Sequence, residues 1–448
     1  MSADNIGRRA FIRAGAGSVA ALAMARGSAN AVEIRASSKP ALLGGEPVRK
    51  GHFPGWPQID EHHKKIWQEV LEKRGWCRLN GDYVERFEAE YAQTIGSRFC
   101  LGVANGTSAL IASLNALGVG PGDEVLVPPY TFVATISAVL LQYALPVFVD
   151  TDPETFQMDA SKTEALITER TTAMIPVHLG GNVVDMDTLL AISKKHNIPV
   201  VEDACQAHFA EWRGKRVASL GDTGCFSFQV TKNLSAGEGG AVMTDSEDLI
   251  EQAGSFHSTG RPWREKSGFS YVRNSSNLRM TEFQGALLLE QLPRVEAQSR
   301  TREENAAHLT KRLQPIPGIH PEKSYEGATR NAYHLYMFRY DAEAFGGLSR
   351  DRFRQALSAE GIPNSPGYTP LNEQPFLKET LYSRGFQSVY GKEAIDAYFE
   401  RMACPENDRL CTEAVWFTQN MLLGPQSDMD DIADAIEKIH ANAKELAA

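Results

Sequence analysis

The sequence predicts an α/β protein, with a large domain built on a mostly parallel sheet and a smaller α+β domain at the C-terminal end. The chain has 448 residues, 42% of them hydrophobic, which is enough for a large core and for more than one domain. Between residues 99 and 201, short apolar runs alternate with helical segments. This βαβ alternation is typical of a parallel sheet covered on both faces. After about Arg300 the alternation stops, which indicates a second unit.

The individual elements are predicted from the period of their apolar residues. A charged helical pattern covers residues 60–74. Strands are predicted at residues 99–103, 125–127, 146–149, 173–177 and 198–201, with helices from about Thr107 and over residues 185–196 between them. In the second unit the pattern predicts a strand at residues 333–339, a helix at 350–360 and one terminal helix at 428–446.

Two ionisable residues follow apolar runs of the predicted sheet. Asp203 comes just after residues 198–201, and Lys232 follows the apolar stretch 225–228 and precedes a glycine-rich turn. Taken alone, each is more often a surface lysine or a turn or capping aspartate. Strand ends of open α/β sheets, however, are where ligands bind. A lysine can form a Schiff base with an aldehyde cofactor, and a carboxylate can keep a pyridine nitrogen protonated, so the pair predicts pyridoxal phosphate chemistry.

A possible phosphate site lies where the first strand meets its helix. Asn105, Gly106, Thr107 and Ser108 join the two elements. Free N–H groups and the helix dipole suit a phosphate dianion there, Gly106 allows close approach, and the two hydroxyls add donors. An ordinary helix N-cap is the alternative.

Two further side chains are candidates for the same pocket. Phe132 follows a Pro-Pro turn and could stack on a pyridine ring, although such an aromatic is more often a core residue. His178 is a candidate pocket residue, with a satisfied core histidine as the alternative.

Six blocks of sequence occur in the order found in one known family. They are NGTSAL (105–110), PPYTF (128–132), VHLGG (177–181), EDACQAH (202–208), FSFQVTKNLSAGEGG (226–240) and NLRMTEFQGA (277–286). From about Gly44 to near its C-terminus the chain therefore resembles the DegT/DnrJ/EryC1/StrS family of sugar and cyclitol aminotransferases. The resemblance implies an aspartate aminotransferase-like fold of PLP-dependent transferase type I, with pyridoxal 5′-phosphate as the cofactor.

The resemblance also implies roles for single residues. Ser227 would be a second phosphate donor, and Gln206 would hydrogen-bond to the cofactor's ring oxygen. Asn277 as a cofactor contact and Arg279 as a substrate contact would reach into the neighbouring subunit's site, which implies a homodimer with shared active sites. Tyr368 would contact the substrate.

The sequence departs from the common family pattern at three positions. Gln229 stands where many members have His before the lysine, Phe209 where Gly is usual, and Asn372 where His is frequent. The FSFQ block resembles more closely the branch that aminates scyllo-inosose or makes 3-amino-5-hydroxybenzoate. Phe209 and Asn372 leave the substrate open. A dehydrating branch of the family has His in place of the lysine, and Lys232 argues against it.

The expected activity is transfer of an amino group from an amino acid, glutamine or glutamate, to a keto-sugar or keto-cyclitol through Lys232. One alternative is an aromatic-forming synthase of the amino-hydroxybenzoate type. Another is an exported, catalytically idle protein that binds the cofactor or a sugar, which the intact Lys232 and Asp203 disfavour. The expected division is an N-terminal arm and linker at residues 32–75, a large cofactor-binding domain at 76–300 and a small domain at 301–448.

Residues 1–31 are interpreted as a twin-arginine signal peptide. Arg8 and Arg9 precede an apolar stretch, and Ala29-Asn30-Ala31 is a small-residue cleavage site. An amphipathic N-terminal helix is the alternative, and the stretch is too short for a stable membrane anchor. The expected location is periplasmic or otherwise outside the cytoplasm, or cytoplasmic if the signal is not used.

Charge and cysteine content exclude two further classes of function. The first 31 residues carry a net charge of +3, so the remainder carries −13 of the total of −10. Such an acidic body argues against nucleic acid as a partner. The six cysteines form no CxxC pair, so no metal site is predicted.

Overall fold

The computed structural model describes residues 38–263 and 270–448. Residues 1–31, and with them the predicted signal peptide, lie outside this part of the chain. The helices are α1 (Glu61–Lys73), α2 (Tyr83–Ile95), α3 (Gly106–Ala116), α4 (Val133–Leu140), α5 (Met186–His196), α6 (Glu247–His257), α7 (Glu282–Leu313), α8 (Arg350–Ala359), α9 (Pro375–Leu381), α10 (Arg384–Tyr390), α11 (Lys392–Glu400), α12 (Pro405–Glu413), α13 (Gln426–Ala441) and α14 (Ala443–Ala447).

The strands of the same part of the chain are β1 (Phe99–Val103), β2 (Glu124–Val127), β3 (Leu145–Phe148), β4 (Thr151–Asp152), β5 (Gln157–Met158), β6 (Thr171–Met174), β7 (Val201–Asp203), β8 (Glu211–Trp212), β9 (Lys215–Arg216), β10 (Thr223–Ser227), β11 (Gly240–Thr244), β12 (Ile319–Pro321), β13 (Ala328–Arg330), β14 (Leu335–Tyr340) and β15 (Ala414–Thr418).

The large domain is built on a sheet with the strand order β1-β11-β10-β7-β6-β2-β3. Parallel bridges Met174–Val200 and Val177–Asp203 join its two halves. Of these strands, β11 runs antiparallel to both neighbours and the others run parallel. The predicted α/β class with a mostly parallel sheet is therefore confirmed.

Helices cover this sheet on both faces, and strand β10 shows how. Its side chains alternate between faces, as the pleat of a strand requires. Phe226 packs against Tyr91 of α2, with ring centroids 5.2 Å apart. Cys225, one residue earlier, lies on the other face, where its sulfur is 3.3 Å from the Ser113 hydroxyl of α3. Burial on both faces explains why the strands of this sheet are continuous apolar runs.

A second, antiparallel sheet forms the centre of the small domain, in the order β12-β14-β15. Helices α8 and α13 and the C-terminal part of α7 share its core. The arm before α1 is held here by buried Glu360, whose carboxylate accepts hydrogen bonds from the backbone N–H groups of Ala41 (2.8 Å) and Val48 (3.0 Å) and pairs with Lys438 (2.9 Å). Within the described residues, no helix combines the length and the apolar character that crossing a bilayer requires.

The terminal helix differs from its prediction. A single helix over residues 428–446 was wrong, because Asn442 separates α13 from α14 with a non-helical φ of −112°. Its side-chain amide donates to the backbone oxygens of Lys438 (2.8 Å) and Ser38 (3.3 Å). An asparagine that bonds to nearby backbone in this way competes with continuation of a helix.

Helix α7 connects the two domains. Leu288, Leu292 and Val295 belong to the large core, whereas Leu309 and Leu313 belong to the small one. The expected division between residues 300 and 301 falls inside this helix.

The short helices α9, α10 and α11 follow in sequence after much of the small domain. They nevertheless pack on the large core, through Leu377, Phe386, Ile395 and Tyr398.

Candidate active site

A cavity of about 590 Å³ lies where the strands of the large domain end and the small domain begins. Asp203 is the last residue of β7 and Ser227 the last of β10, so both side chains stand at the carboxyl edge of the sheet. The lining residues are Asn105, Gly106, Thr107, Leu110, Thr131, Phe132, Ala134, Thr135, Val177, Asp203, Cys205, Gln206, Ser227, Gln229, Thr231, Lys232, Glu238, His334, Leu335, Tyr368 and Trp416. His334, Leu335, Tyr368 and Trp416 follow α7 in the sequence and belong to the small domain.

Asp203 is buried and its carboxylate is held by two donors. Its Oδ2 accepts from the Thr135 hydroxyl at 2.8 Å and its Oδ1 from the Cys205 N–H at 3.2 Å. Because Thr135 gives its proton to the carboxylate, the Thr131 hydroxyl, 2.9 Å away, donates in turn to Thr135. This series of hydrogen bonds fixes the carboxylate in one orientation at the cavity wall. A carboxylate that is to hold the ring nitrogen of a cofactor needs such a fixed orientation.

Lys232 lies in the turn after β10 and lines the cavity. Its backbone N–H donates to the Gln229 oxygen at 2.9 Å, which closes the turn. Its Nζ is 3.4 Å from His334 Nε2 of the small domain. Desolvation in the cavity lowers the pKa of Lys232. A lower pKa increases the share of neutral amine, which is the form that attacks a carbonyl or takes a proton.

The N-terminus of α3 borders the cavity at Gly106 and Thr107. Asn105 is the N-cap, and its Oδ1 accepts from the Ser108 N–H at 2.8 Å. A Cβ on residue 106 would lie 2.8 Å from both Cys205 Sγ and Ser227 Cβ, so only glycine fits between these elements. A helix N-terminus with the hydroxyls of Thr107 and Ser227 beside it is a suitable cradle for a phosphate.

These groups fit pyridoxal phosphate. The α3 cradle suits its phosphate, Asp203 its ring nitrogen and Lys232 its aldehyde. Phe132 also lines the cavity and is 56% exposed, which is unusual for a large aromatic side chain. A flat ring bound in the cavity would cover it.

Gln206 and Tyr368 form one connected pair in the wall. Gln206 Oε1 accepts from the Gly180 N–H at 2.9 Å, and its Nε2 donates to the Tyr368 hydroxyl at 3.0 Å. One N–H of the amide remains for a ligand. Tyr368 packs edge-on against Trp416, with centroids 4.7 Å apart, and burial raises the pKa of Tyr368 to about 12. Its hydroxyl therefore stays protonated.

Four of the predicted site residues do not line the cavity. His178 is fully buried; its Nδ1 accepts from the Val184 N–H at 3.4 Å and its Nε2 donates to Glu202 at 3.1 Å, the arrangement of a satisfied core histidine. Ser108 is buried in α3. Asn277 is exposed, and its backbone forms an isolated antiparallel β-bridge with Ser258. The Ser258 hydroxyl accepts a hydrogen bond from the Arg279 guanidinium at 3.4 Å.

The cavity also contains residues that sequence reasoning did not select as site residues. Thr131 and Thr135 carried a usable signal, because two hydroxyls four residues apart near a helix N-terminus face the same side. His334 and Trp416 had none, since both lie in apolar strand patterns more than 80 residues from Lys232 and are placed by the packing of the domains.

Two of the three departures from the family pattern lie away from the cavity lining. Phe209 is buried with φ of +70°, a conformation that favours glycine, and its ring lies 3.9 Å under the Arg216 guanidinium. Asn372 is buried and donates to the Met402 oxygen at 3.2 Å. Gln229 does line the cavity, where its Oε1 accepts from the Thr231 N–H at 2.8 Å.

Comparisons with known proteins agree with this geometry. Residues 57–416 match the DegT/DnrJ/EryC1/StrS aminotransferase family. The chain is 36% identical over 423 residues to L-glutamine:scyllo-inosose aminotransferase of Streptomyces griseus, a match that covers 91% of this chain and 99% of that protein. It is 35% identical over 397 residues to 3-amino-5-hydroxybenzoate synthase of Amycolatopsis mediterranei, covering 87% and 98%.

A solved structure is similar to this chain over most of its length. The crystal structure of a 3-amino-5-hydroxybenzoic acid synthase matches with a TM-score of 0.78 at 34% identity, covering 89% of this chain and all of that one. The chain therefore belongs to the DegT/DnrJ/EryC1/StrS family and is a pyridoxal 5′-phosphate-dependent aminotransferase.

Proposed function

We propose that the protein transfers the amino group of L-glutamine to a keto-cyclitol of the scyllo-inosose type. The names of its relatives support this substrate class, since several act on scyllo-inosose or its deoxy derivatives with L-glutamine as donor. The observation that carries the proposal is the charge of the cavity. Among the described residues that line it, the ionisable ones other than histidine, cysteine and tyrosine are Asp203, Lys232 and Glu238. A neutral polyol suits such a wall better than a nucleotide diphosphate, which calls for several cations.

The residues of this chain divide the work of amino transfer. Bound pyridoxal phosphate would supply an electron-accepting ring and an aldehyde carbon that takes up the amino group of the donor and passes it to the acceptor. Asp203, fixed by Thr135, keeps the ring nitrogen protonated and so favours withdrawal of electrons from the reacting carbon. The N-terminus of α3 and Ser227 hold the phosphate. The Lys232 amine takes a proton from the donor carbon that bears the amino group and later returns one to the acceptor carbon.

The second candidate is an aromatic-forming synthase. The observation in its favour is the 3-amino-5-hydroxybenzoate synthase match in sequence and in fold. The scyllo-inosose aminotransferases match this chain at 36% identity over 422 or 423 residues, against 35% over 397 residues for the synthase, and this favours the keto-cyclitol.

The test is a donor and acceptor screen on the purified holoenzyme. We expect L-glutamine to outperform L-glutamate and L-alanine, and scyllo-inosose to be aminated while nucleotide-linked keto-sugars are not. Lys232→Ala is the control for transfer that depends on the enzyme. Preferred amination of nucleotide-linked sugars, or release of an aromatic amine from an amino-cyclohexenone, would contradict the proposal. Cofactor absorbance without any transfer would indicate an idle binder.

The proposal includes a homodimer with shared sites. Support comes from exposed apolar side chains on α1 and in the loop after it, a pattern typical of an interface: Trp67, Leu71, Trp76 and Leu79. Asn277 and Arg279 would act across it. Mixing Lys232→Ala chains with chains that carry Asn277→Ala and Arg279→Ala should restore part of the activity that each variant lacks alone. No recovery in verified mixed dimers would count against shared sites.

The proposal also includes export by the twin-arginine route, with cleavage after Ala31. The supporting residues are Arg8, Arg9 and the Ala29-Asn30-Ala31 site. This route carries folded proteins, so the cofactor would be loaded inside the cell. Arg8→Lys with Arg9→Lys should leave the loaded protein in the cytoplasm. A native protein found only there, with residues 1–31 intact, would contradict export but not the aminotransferase activity.

A further inference from the structure

The small domain places one histidine against the reactive lysine. His334 directly precedes β14, is 7% exposed and lines the cavity. Its Nε2 lies 3.4 Å from Lys232 Nζ. Lysine and histidine come from opposite sides of the domain boundary and meet in the wall of the active site.

The hydrogen bonds behind His334 determine its tautomer. Asn233 Nδ2 is 2.8 Å from the Ala332 carbonyl oxygen, which can only accept, so the amide must point its Nδ2 at that oxygen. Asn233 Oδ1 then faces His334 Nδ1 at 3.2 Å, and Nδ1 must carry the hydrogen. In a neutral ring this leaves a lone pair on Nε2, directed at Lys232.

The ring stays neutral in this position. Burial, followed by the nearby Lys232, lowers the pKa of His334 well below its ordinary value. The other charged or titratable groups that act on the ring are His208 and Arg302, and both act in the same direction. Nothing in this set favours an imidazolium, so Nε2 remains an acceptor.

We propose that His334 is a positioning residue for Lys232. Its Nε2 accepts a hydrogen bond from the lysine amine whenever that amine is free, and so directs it into the cavity between successive proton transfers. A free lysine side chain otherwise samples many rotamers. Asn233, which fixes the histidine, is the residue next to Lys232, so one turn sets both the amine and its acceptor. The inference rests on Lys232 as the reactive lysine and not on the identity of donor or acceptor.

Two amide substitutions separate this role from a merely structural one. In His334→Gln, the longer side chain brings its amide to the place of Nε2, within reach of Lys232. In His334→Asn, the shorter side chain brings its amide to the place of Nδ1, where it reaches Asn233 but not the lysine. Both variants keep a polar group in the wall, which keeps the cost to folding similar.

The first measurement uses cofactor-free protein. The pH dependence of Lys232 acetylation, followed by mass spectrometry, reports the pKa of its amine. We expect His334→Asn to lower that pKa by about one unit, because the ammonium loses a hydrogen bond worth that much, and His334→Gln to remain near the parent.

The second measurement is steady-state kinetics of the loaded enzyme. For His334→Asn we expect kcat to fall at least about tenfold while KM for the amino donor stays within about threefold, and for His334→Gln we expect most of the loss to be recovered. Equal behaviour of the two variants, or a His334→Asn enzyme with parental kcat and parental Lys232 pKa, would overturn the proposal.

A matched control lies elsewhere in the large domain. His257 Nδ1 donates to the Gly254 oxygen at 2.5 Å, and its Nε2 lies 3.4 Å from an Arg78 nitrogen, so it is another buried histidine beside a cation. His257→Asn should reduce thermal stability and leave the pKa of Lys232 unchanged. A change in that pKa of the same size as in His334→Asn would show a general effect of buried histidines and would also overturn the proposal.

Discussion

The two walls of the cavity are held in different ways. On the large-domain wall, Asp203 is fixed by Thr135 and Cys205, and the α3 N-terminus by its own N-cap, so these groups are fixed from within their own domain. The small-domain wall consists of His334, Leu335, Tyr368 and Trp416, and its hydrogen bonds run across the boundary: Tyr368 bonds to Gln206, and His334 to Asn233.

This difference separates two tasks. A wall that is fixed internally keeps its geometry when the other domain moves, which suits the groups that hold a cofactor through many turnovers. A wall that depends on contacts across the boundary is correct only when the domains are correctly placed. Substitutions on the first wall should therefore alter chemistry alone, whereas substitutions behind the second should alter stability and geometry together.

The largest effect is expected at Lys232. Lys232→Ala removes both the amine that bonds to the cofactor and the group that moves the proton, so transamination should fall by at least about 10⁴-fold. Thermal stability without cofactor should change little, because the loss lies in the cavity. Borohydride reduction and peptide mapping of the parent should place the cofactor on this residue, and a label on Lys215 would contradict the assignment.

Asp203→Asn tests the internally fixed wall most directly. The amide keeps the shape and removes the charge that holds the ring nitrogen protonated. We expect a loss in kcat of roughly 10²-fold, or about 3 kcal/mol. Activity within a few-fold of the parent would show that another group performs this task.

Gln419→Ala tests the boundary behind the other wall. Arg302 of α7 is fully buried, and its guanidinium donates to Gln419 Oε1 at 3.0 and 2.6 Å, while Gln419 Nε2 lies 3.5 Å from the Thr231 oxygen beside Lys232. Burial lowers the pKa of Arg302 to about 9. Removing its acceptor should cost about 2 kcal/mol of unfolding free energy in urea denaturation.

The matched variant is Gln419→Glu, which offers the same guanidinium a carboxylate. It should remain closer to the parent in stability than Gln419→Ala. Equal stability of Gln419→Ala and the parent would mean that the boundary does not depend on this contact.

His208, which is buried behind the large-domain wall, should make the free energy of unfolding depend on pH. Desolvation lowers the pKa of His208 from 6.5 to about 3. Between these two pH values His208 is protonated in the unfolded chain and neutral in the folded chain. The free energy of unfolding is therefore unaffected by this histidine above pH 6.5 and decreases as the pH falls below it. The slope is about 1.4 kcal/mol per pH unit for this histidine. His208→Phe should flatten the curve of unfolding free energy against pH, and His62→Phe, an exposed position, should not.

The smallest effect is expected for Thr135→Val. It removes one donor to the Asp203 carboxylate and keeps the side-chain shape, so kcat/KM should fall about fivefold, equivalent to about 1 kcal/mol. Thr131→Val, one hydroxyl further from the carboxylate, is the control and should cost less. A larger loss in Thr131→Val would contradict the direction of the hydroxyl chain.

The sequence was informative where a site residue is placed by its own strand or helix. Asp203 ends a buried strand and Gly106 lies just after another, the places where ligands bind in open α/β sheets. It was less informative where the direction of a side chain decides whether it reaches the cavity. Glu202 and Asp203 are neighbours, and Asp203 lines the cavity. The Glu202 carboxylate instead accepts hydrogen bonds from the N–H groups of Ala218, Leu220 and Gly221. His334 could not be selected, because only the packing of the small domain brings it to Lys232.

Helix α7 has a further consequence for how the protein unfolds. Its 32 residues contribute apolar side chains to both cores without interruption. Opening either core exposes part of the same helix and removes the packing that stabilises it, because most helical stability in a protein comes from tertiary packing. Loss of one domain therefore weakens the other, and the two should melt in a single calorimetric transition whose van't Hoff enthalpy equals the measured heat. A helix that joins two domains thus makes them one cooperative unit.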